Sequence, residues 1–171
     1  MFSTNSTIHP TTYERMRDFS MWLTNEAIQE LACPCALPPM LFVDDGRGVA
    51  ISDLSHFDIS TPEAVLSTLT RVLSEVARCL GGRGAAVVMP GWDINLAEPC
   101  DPTDDRSWTS PIKHPTCTEC VLLTAVDHDH AESFLATLYQ SAEDTLQLGE
   151  WFPVPNSGLT ELLRRVVCPQ G

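Results

Sequence analysis

Positive charge is scarce in this chain of 171 residues. It has one lysine, Lys113, and its ten basic residues face 23 aspartates and glutamates, which gives a formal net charge of −13 at pH 7. Proteins that bind DNA or RNA neutralise phosphates with clustered lysine and arginine. The composition therefore argues against direct nucleic-acid binding. It favours a basic protein partner, because complementary charge raises the rate of association.

Long hydrophobic runs are missing as well. No stretch reaches the ~18 apolar residues of a membrane-spanning helix. Residues 1–10 are polar, with neither the basic region nor the apolar core of a secretory signal. We expect residues 1–10 to form a flexible leader and residues 11–171 a single domain, in a cytoplasmic protein without membrane contact. A hydrophobic fraction of 43% is sufficient for a core that needs no disulfide or metal.

The familiar catalytic motifs are absent from the sequence. It contains no P-loop, no G-x-S-x-G nucleophile elbow and no H-E-x-x-H zinc motif. The glycines of Gly81-Gly82-Arg83-Gly84 follow a predicted helix, so they indicate a helix C-cap and not a phosphate-binding loop. Asp44 and Asp45 lie in a predicted turn, where aspartate is common without any catalytic role. A binding protein is therefore favoured over an enzyme.

The acidic residues suggest where such binding takes place. Residues 97–116 form the longest predicted loop and are rich in proline, aspartate, serine and threonine. They contain a dense acidic cluster, Asp101, Asp104 and Asp105. We hypothesise that this cluster contacts the basic partner, and that the protein is an accessory, immunity or phage-type inhibitory factor.

Three helices are predicted from capping residues and apolar spacing. Thr11 or Thr12 caps the first, which carries Glu14 near its start and reaches about Ala32. Its apolar positions are Met16, Phe19, Trp22, Leu23, Ile28 and Leu31. The second begins at Ser60-Thr61-Pro62-Glu63 and ends at Gly81-Gly82. The third covers residues 159–167, after a cap at Asn156 or Ser157.

Short hydrophobic runs predict the strands. Residues 40–43 and 49–54 flank an Asp-Asp-Gly-Arg-Gly turn and form a hairpin. Residues 85–89 and 92–96 form a second hairpin around Pro90-Gly91. Residues 120–126 are almost continuously apolar, which is typical of a central strand buried on both faces.

Residues 133–140 fit a helix or a strand, and the short preceding link favours a strand. The fold class is therefore α+β. We predict an antiparallel sheet of about four to six strands with helices packed on it, in helix-hairpin-helix-hairpin order.

Two of the seven cysteine positions form a C-x-x-C pair, Cys117 and Cys120, and two form a C-x-C pair, Cys33 and Cys35. Together they offer four thiolates to a structural zinc ion, with His114 as an alternative ligand. The competing interpretation is that they are ordinary thiols, because a free cysteine packs as a small hydrophobe.

The second metal hypothesis concerns Asp127-His128-Asp129-His130. In an extended segment, His128 and His130 share one face and can bind one metal ion, as in a small metal-dependent enzyme. The competing interpretation is a solvated turn between two strands, since aspartate favours turns.

One order of motifs resembles small proteins of high-GC bacteria and their phages, over roughly residues 35–152. The motifs are Pro38-Pro39, the Asp44-Asp45-Gly46 turn, the Ser60–Glu63 helix start, the strand with Trp92, and His114-Pro115 before an apolar strand. The resemblance implies no activity and no site residue.

Overall fold

The computed structural model describes residues 11–31, 37–57, 63–64, 67–72, 75, 82–94, 117–156 and 158–167. Several predicted features lie outside these residues. They are the leader 1–10, the cysteines Cys33 and Cys35, and the loop 97–116 with Asp101, Asp104, Asp105 and His114.

Helix α1, Thr12–Glu30, begins at a capping box. The Thr11 hydroxyl accepts a hydrogen bond from the Glu14 N–H at 3.1 Å, and the Glu14 carboxylate accepts one from the Thr11 N–H at 2.8 Å. Both bonds satisfy N–H groups that have no partner within the helix. The predicted cap and start of the first helix are therefore confirmed.

The buried face of α1 differs from the predicted one. It consists of Tyr13, Met16, Ser20, Thr24 and Ile28. The Ser20 and Thr24 hydroxyls donate to the carbonyls of Met16 and Ser20, at 2.6 and 2.7 Å, which makes their burial possible.

Trp22 is 56% exposed, so its predicted place on the apolar face is wrong. It lies two residues from both Ser20 and Thr24, which puts it about 200° around the helix from them.

The described strands form one seven-stranded sheet in which every pair is antiparallel. They are β1 (Met40–Asp44), β2 (Val49–Asp53), β3 (Gly84–Ile94), β4 (Cys117–Asp127), β5 (Ala131–Gln140), β6 (Leu146–Leu148) and β7 (Phe152–Val154). The spatial order is β2-β1-β3-β4-β5-β6, and β7 also pairs with β5. This confirms the α+β class with an antiparallel sheet, which has more strands than predicted.

Three of the strand predictions are confirmed and one is wrong. The β1–β2 hairpin, the buried β4 and the strand at 133–140 are confirmed. The hairpin predicted around Pro90-Gly91 is wrong, because β3 continues through both residues, with Pro90 opposite Val121. Strand β1 pairs with β3 no further than Val88. Proline has no N–H group to donate to a neighbouring strand. It is tolerated at position 90 because no β1 residue pairs with β3 at this point.

Helices cover both faces of the sheet. The second helix, α2, is described at residues 63–64, 67–72 and 75, and the third, α3, spans Gly158–Val167. Helix α1 packs on one face, whereas α2 and α3 pack on the other. None of the described helices combines the length and the apolar character needed to cross a membrane.

The two faces have separate cores because residues alternate along each strand. In β1, Phe42 contributes to the core under α1, and Leu41 and Val43 to the opposite core. In β3, Ala86 and Val88 face α1, and Ala85 and Val87 face away. The central strands are therefore apolar on both faces.

Gly84 marks the closest approach of α1 to the sheet. A Cβ atom at this position would lie 2.7 Å from Thr12 Cγ2 and 3.1 Å from Met16 Cγ. Both contacts are shorter than ordinary van der Waals separation, and the first turn of the helix leaves no room for a side chain. The start of α1 is therefore seated directly on the backbone of β3.

We expect Gly84→Ala to destabilise the fold by about 1–3 kcal/mol, because the added methyl group forces α1 away from β3. Urea denaturation followed by circular dichroism measures this change. Gly91→Ala in the same strand is the matched control, since a Cβ there meets no atom within 4 Å. Equal losses in the two variants would show that alanine is harmful in β3 for reasons other than contact with α1.

Candidate functional site

The Asp-His-Asp-His segment forms a tight turn between β4 and β5. The Asp127 N–H donates to the His130 carbonyl at 2.9 Å, and residues 128–130 are exposed. The segment is not extended, so the alternation that would place His128 and His130 on one strand face does not apply. Of the two sequence-based interpretations, the geometry fits the turn.

Asp127 is the structural centre of this turn. One carboxylate oxygen accepts hydrogen bonds from the N–H groups of Asp129 and His130, at 2.8 and 2.7 Å, and contacts His130 Nδ1 at 3.1 Å. The other accepts the Tyr13 N–H at 3.0 Å. Tyr13 lies in the first turn of α1, where N–H groups lack helical partners. Asp127 therefore holds the β4–β5 turn and caps α1 from a distant part of the chain.

Electrostatics agree with this role. Burial alone would raise the pKa of Asp127, but hydrogen bonds from the N–H groups of Asp129 and His130, from the His130 ring and from Tyr13 lower it below its ordinary value. Burial, followed by the hydrogen bond and the charge of Glu132, raises the pKa of Tyr13 above its ordinary value. The Tyr13 hydroxyl is thus a neutral donor to Glu132, at 2.5 Å.

Aromatic contacts complete the cluster. The His130 ring stacks on Tyr13 with centroids 5.4 Å apart, and the Arg17 guanidinium lies 5.6 Å from the Tyr13 centroid. An aspartate that orients a histidine is a known arrangement for proton transfer. Here, however, the carboxylate is engaged by backbone N–H groups that fix the fold. The cluster is well suited to attaching α1 to the sheet.

The metal hypotheses remain predictions. Within the part of the chain that the structure describes, no three histidine, cysteine or acidic residues are grouped to hold a metal ion. Cys117 and Cys120 lie in the regular strand β4, opposite Ile94 and Gly91, whereas zinc-binding C-x-x-C pairs are usually in turns. Cys120 is buried. The zinc hypothesis predicts one chelator-sensitive zinc per chain, which native mass spectrometry with and without EDTA detects.

We expect Asp127→Asn to destabilise the protein by about 1–3 kcal/mol at neutral pH. An amide has one acceptor oxygen, so its NH₂ group must face a backbone donor that the carboxylate now satisfies. Because the folded pKa is depressed, the stabilisation is complete above the unfolded value of ~3.9 and is lost as the pH falls through the folded value. The gap between wild type and variant should therefore shrink below about pH 4.

Thermal denaturation across this pH range provides the measurement. Asp129→Asn is the control, since Asp129 is exposed and only its backbone N–H bonds to Asp127. A stability gap for Asp127→Asn that stays constant from neutral to acid pH would contradict the assigned role of the charge.

A different surface lies along the outer side of α1. Its residues follow one another at intervals of four and are all exposed: Asp18, Trp22, Glu26 and Glu30. Side chains four apart are neighbours on a helix. We call these four residues the α1 ridge. It places a large, exposed indole between carboxylates.

Aromatic contacts connect Trp22 of the ridge to the core. The Phe19 and Trp22 rings lie 6.1 Å apart, and Phe19 in turn packs edge-on against the buried Phe42 at 6.0 Å. Nearby, the Trp151 indole N–H donates to the Asn25 side chain at 3.4 Å. The exposed Trp22 indole is therefore connected to the core through Phe19.

The C-terminal end of the ridge has two features that destabilise a helix. Glu26 and Glu30 are like charges four residues apart, which repel each other. They also lie near the negative end of the helix dipole, where cations are favoured, and the last turn of α1 contains no basic residue. Departures from local stability rules occur at functional sites, so this end of the helix is a candidate for such a site.

Sequence reasoning missed the ridge because it assigned Trp22 to the core. The four-residue spacing of Asp18, Trp22, Glu26 and Glu30 was the available signal. It becomes visible once Ser20 and Thr24 are accepted as buried positions.

No family model, curated protein or solved structure matches the chain. Its function must therefore be argued from its own residues and their geometry.

Proposed function

We propose that the protein is a non-catalytic interaction factor, of the accessory, immunity or inhibitory kind, that binds a basic protein partner. The observation that carries the proposal is the exposed Trp22 between the carboxylates of the α1 ridge. The excess of 13 negative charges in the whole chain supports it.

The chemistry of the ridge specifies what it can bind. Tryptophan is enriched among the residues that dominate interface energies, because it buries a large rigid surface. An arginine of the partner can place its guanidinium over the Trp22 indole and pair with the carboxylate of Glu26. Both contacts favour an arginine-rich segment over an apolar one.

The long-range field supports the same partner class. A negative surface attracts a basic protein and accelerates its association, and salt screens this attraction. The proposal therefore requires an affinity that falls as the ionic strength rises. The acidic cluster predicted from the sequence, Asp101, Asp104 and Asp105, belongs to the same hypothesis.

Affinity capture with matched variants tests the ridge. We expect Trp22→Ala to reduce capture of the specific partner about tenfold or more, as for the loss of an interface anchor. Phe152→Ala is the control, since Phe152 is 44% exposed but lies on β7, outside the ridge. Quantitative mass spectrometry identifies proteins whose recovery depends on Trp22 and not on Phe152. Equal recovery with both variants would contradict the proposal.

The double variant Glu26→Gln with Glu30→Gln separates binding from folding. We expect it to raise the stability of the protein by a few tenths of a kcal/mol, because it removes repulsion and an unfavourable dipole interaction. Capture of the basic partner should nevertheless weaken, and should depend less on NaCl between about 50 and 500 mM. Unchanged capture by this more stable variant would exclude these carboxylates from the interface.

A further inference from the structure

A groove of about 420 Å³ lies between the start of α1 and the β1–β2 turn. This volume falls in the range of small-molecule sites. Its lining residues are Arg15, Phe19, Asp44, Gly46, Arg47, Gly48 and Val49. The groove thus combines two arginines and two glycines with an apolar side.

The turn that forms one wall is fixed by its own aspartates. Asp44 accepts a hydrogen bond from the Gly46 N–H at 2.7 Å, and Asp45 accepts from the N–H groups of Arg47 and Gly48, at 2.8 and 3.0 Å. Gly46 has φ of +84°, a conformation that favours glycine. The Arg47 backbone is therefore held in one place between two residues without side chains.

Arg15 lies on the opposite wall of the groove, in the first turn of α1. Its Nη2 atom lies 3.2 Å from an oxygen of Asp44, which is buried, and 3.4 Å from the Thr12 hydroxyl. A guanidinium carries five N–H donors. These two contacts therefore orient Arg15 and leave donors for a further acceptor.

A third arginine joins the same end of the sheet. The Arg83 N–H donates to the Asp44 carbonyl at 2.7 Å, which places Arg83 beside the turn. A Cβ added to Gly46 would lie 2.7 Å from Arg83 Cζ, so this guanidinium rests directly against the glycine. By contrast, a Cβ on Gly48 would meet no atom within 4 Å.

The charge at this site is unusual for the chain. Three of its ten basic residues converge here, although the chain has 23 acidic ones. Among the described residues, Arg47 and Arg83 form no salt bridge. Asp45 directs an oxygen to its own turn. Asp44 pairs with Arg15 and the charge of Arg47 acts on Asp45, so three arginines face two carboxylates among the described residues of this site. The remaining positive charge favours a bound anion.

We propose that this groove binds a small aromatic oxyanion, a planar ring that carries a carboxylate or a phosphate. Arg15 and Arg47 bind the oxyanion, since guanidinium matches the spacing of its oxygens. The ring of the ligand packs against Phe19 and Val49, which are half-buried and line the same groove. A Cβ on Gly48 would meet no atom within 4 Å, so the ligand can approach the backbone of the turn at this residue. The proposed ligand site does not rest on the proposed function, although Phe19 also contacts the Trp22 ring of the α1 ridge.

Two-dimensional NMR of the ¹⁵N-labelled protein tests the site directly. Phenyl phosphate and benzoate are the probes, and we expect both to shift the amide signals of Gly46, Arg47 and Gly48. Benzamide, which has the shape of benzoate without its charge, tests the need for an anion. Inorganic phosphate tests the need for the ring. We expect no binding of benzamide, and weaker binding of inorganic phosphate than of phenyl phosphate.

Arg47→Gln should weaken the binding of phenyl phosphate about tenfold, as expected for the loss of a charge-assisted hydrogen bond. Arg47 is exposed, so the variant should keep the fold. Arg71→Gln is the matched control, because it removes the same charge from an exposed arginine on α2, 5.6 Å from the Phe57 ring centroid. It should bind phenyl phosphate like the wild type.

Three results would overturn the proposal. The first is an absence of shifts in the turn up to about 10 mM probe, beyond the range of even weak specific binding. The second is equal binding of benzamide and benzoate. The third is an equal loss of affinity in Arg47→Gln and Arg71→Gln, which would indicate nonspecific attraction by net charge.

Discussion

The seating of the first turn of α1 on one end of the sheet is the contact on which the rest of the structure depends. Asp127, at the end of β4, accepts the Tyr13 N–H, while Gly84, at the start of β3, provides the space that the helix occupies. One interaction is polar and directional, and the other is steric. Together they fix both the position of the helix and its rotation. The rotation determines which residues of α1 enter the core and which remain outside.

Both proposed sites follow from that rotation. With Met16, Ser20 and Thr24 turned inward, Arg15 is directed towards the β1–β2 turn and Trp22 to the solvent. Phe19 lies between the two surfaces: it lines the groove and also contacts the Trp22 ring. The same helix therefore presents a basic groove and an acidic ridge. The two charges are not fully separated, because Arg17 Nε donates to the Asp18 carboxylate of the ridge at 2.8 Å.

Local patterns were sufficient to predict the elements whose causes are local. The Thr11–Glu14 capping box, the Asp-Asp-Gly hairpin turn and the apolar run of β4 each act within a few residues. The effect of Pro90 could not be predicted, because it depends on where the neighbouring strand β1 ends. The role of Asp127 could not be predicted either, since its partner Tyr13 is 114 positions away. The arginine groove likewise joins α1 to the β1–β2 turn, through an Arg15–Asp44 contact between residues 29 positions apart.

Because the strands end at different points, the described sheet is several strands wide over most of its length and only two strands wide at one end. Strand β1 leaves β3 after Val88, and β5 pairs with β4 from Cys120 onward, so residues 92–94 of β3 and 117–119 of β4 have only each other as described strand partners. Isolated two-stranded ribbons are marginally stable in water. Opening this ribbon therefore breaks few contacts and leaves both cores intact. Its backbone amides should exchange with solvent by local fraying, whereas those of the wide part exchange through global unfolding.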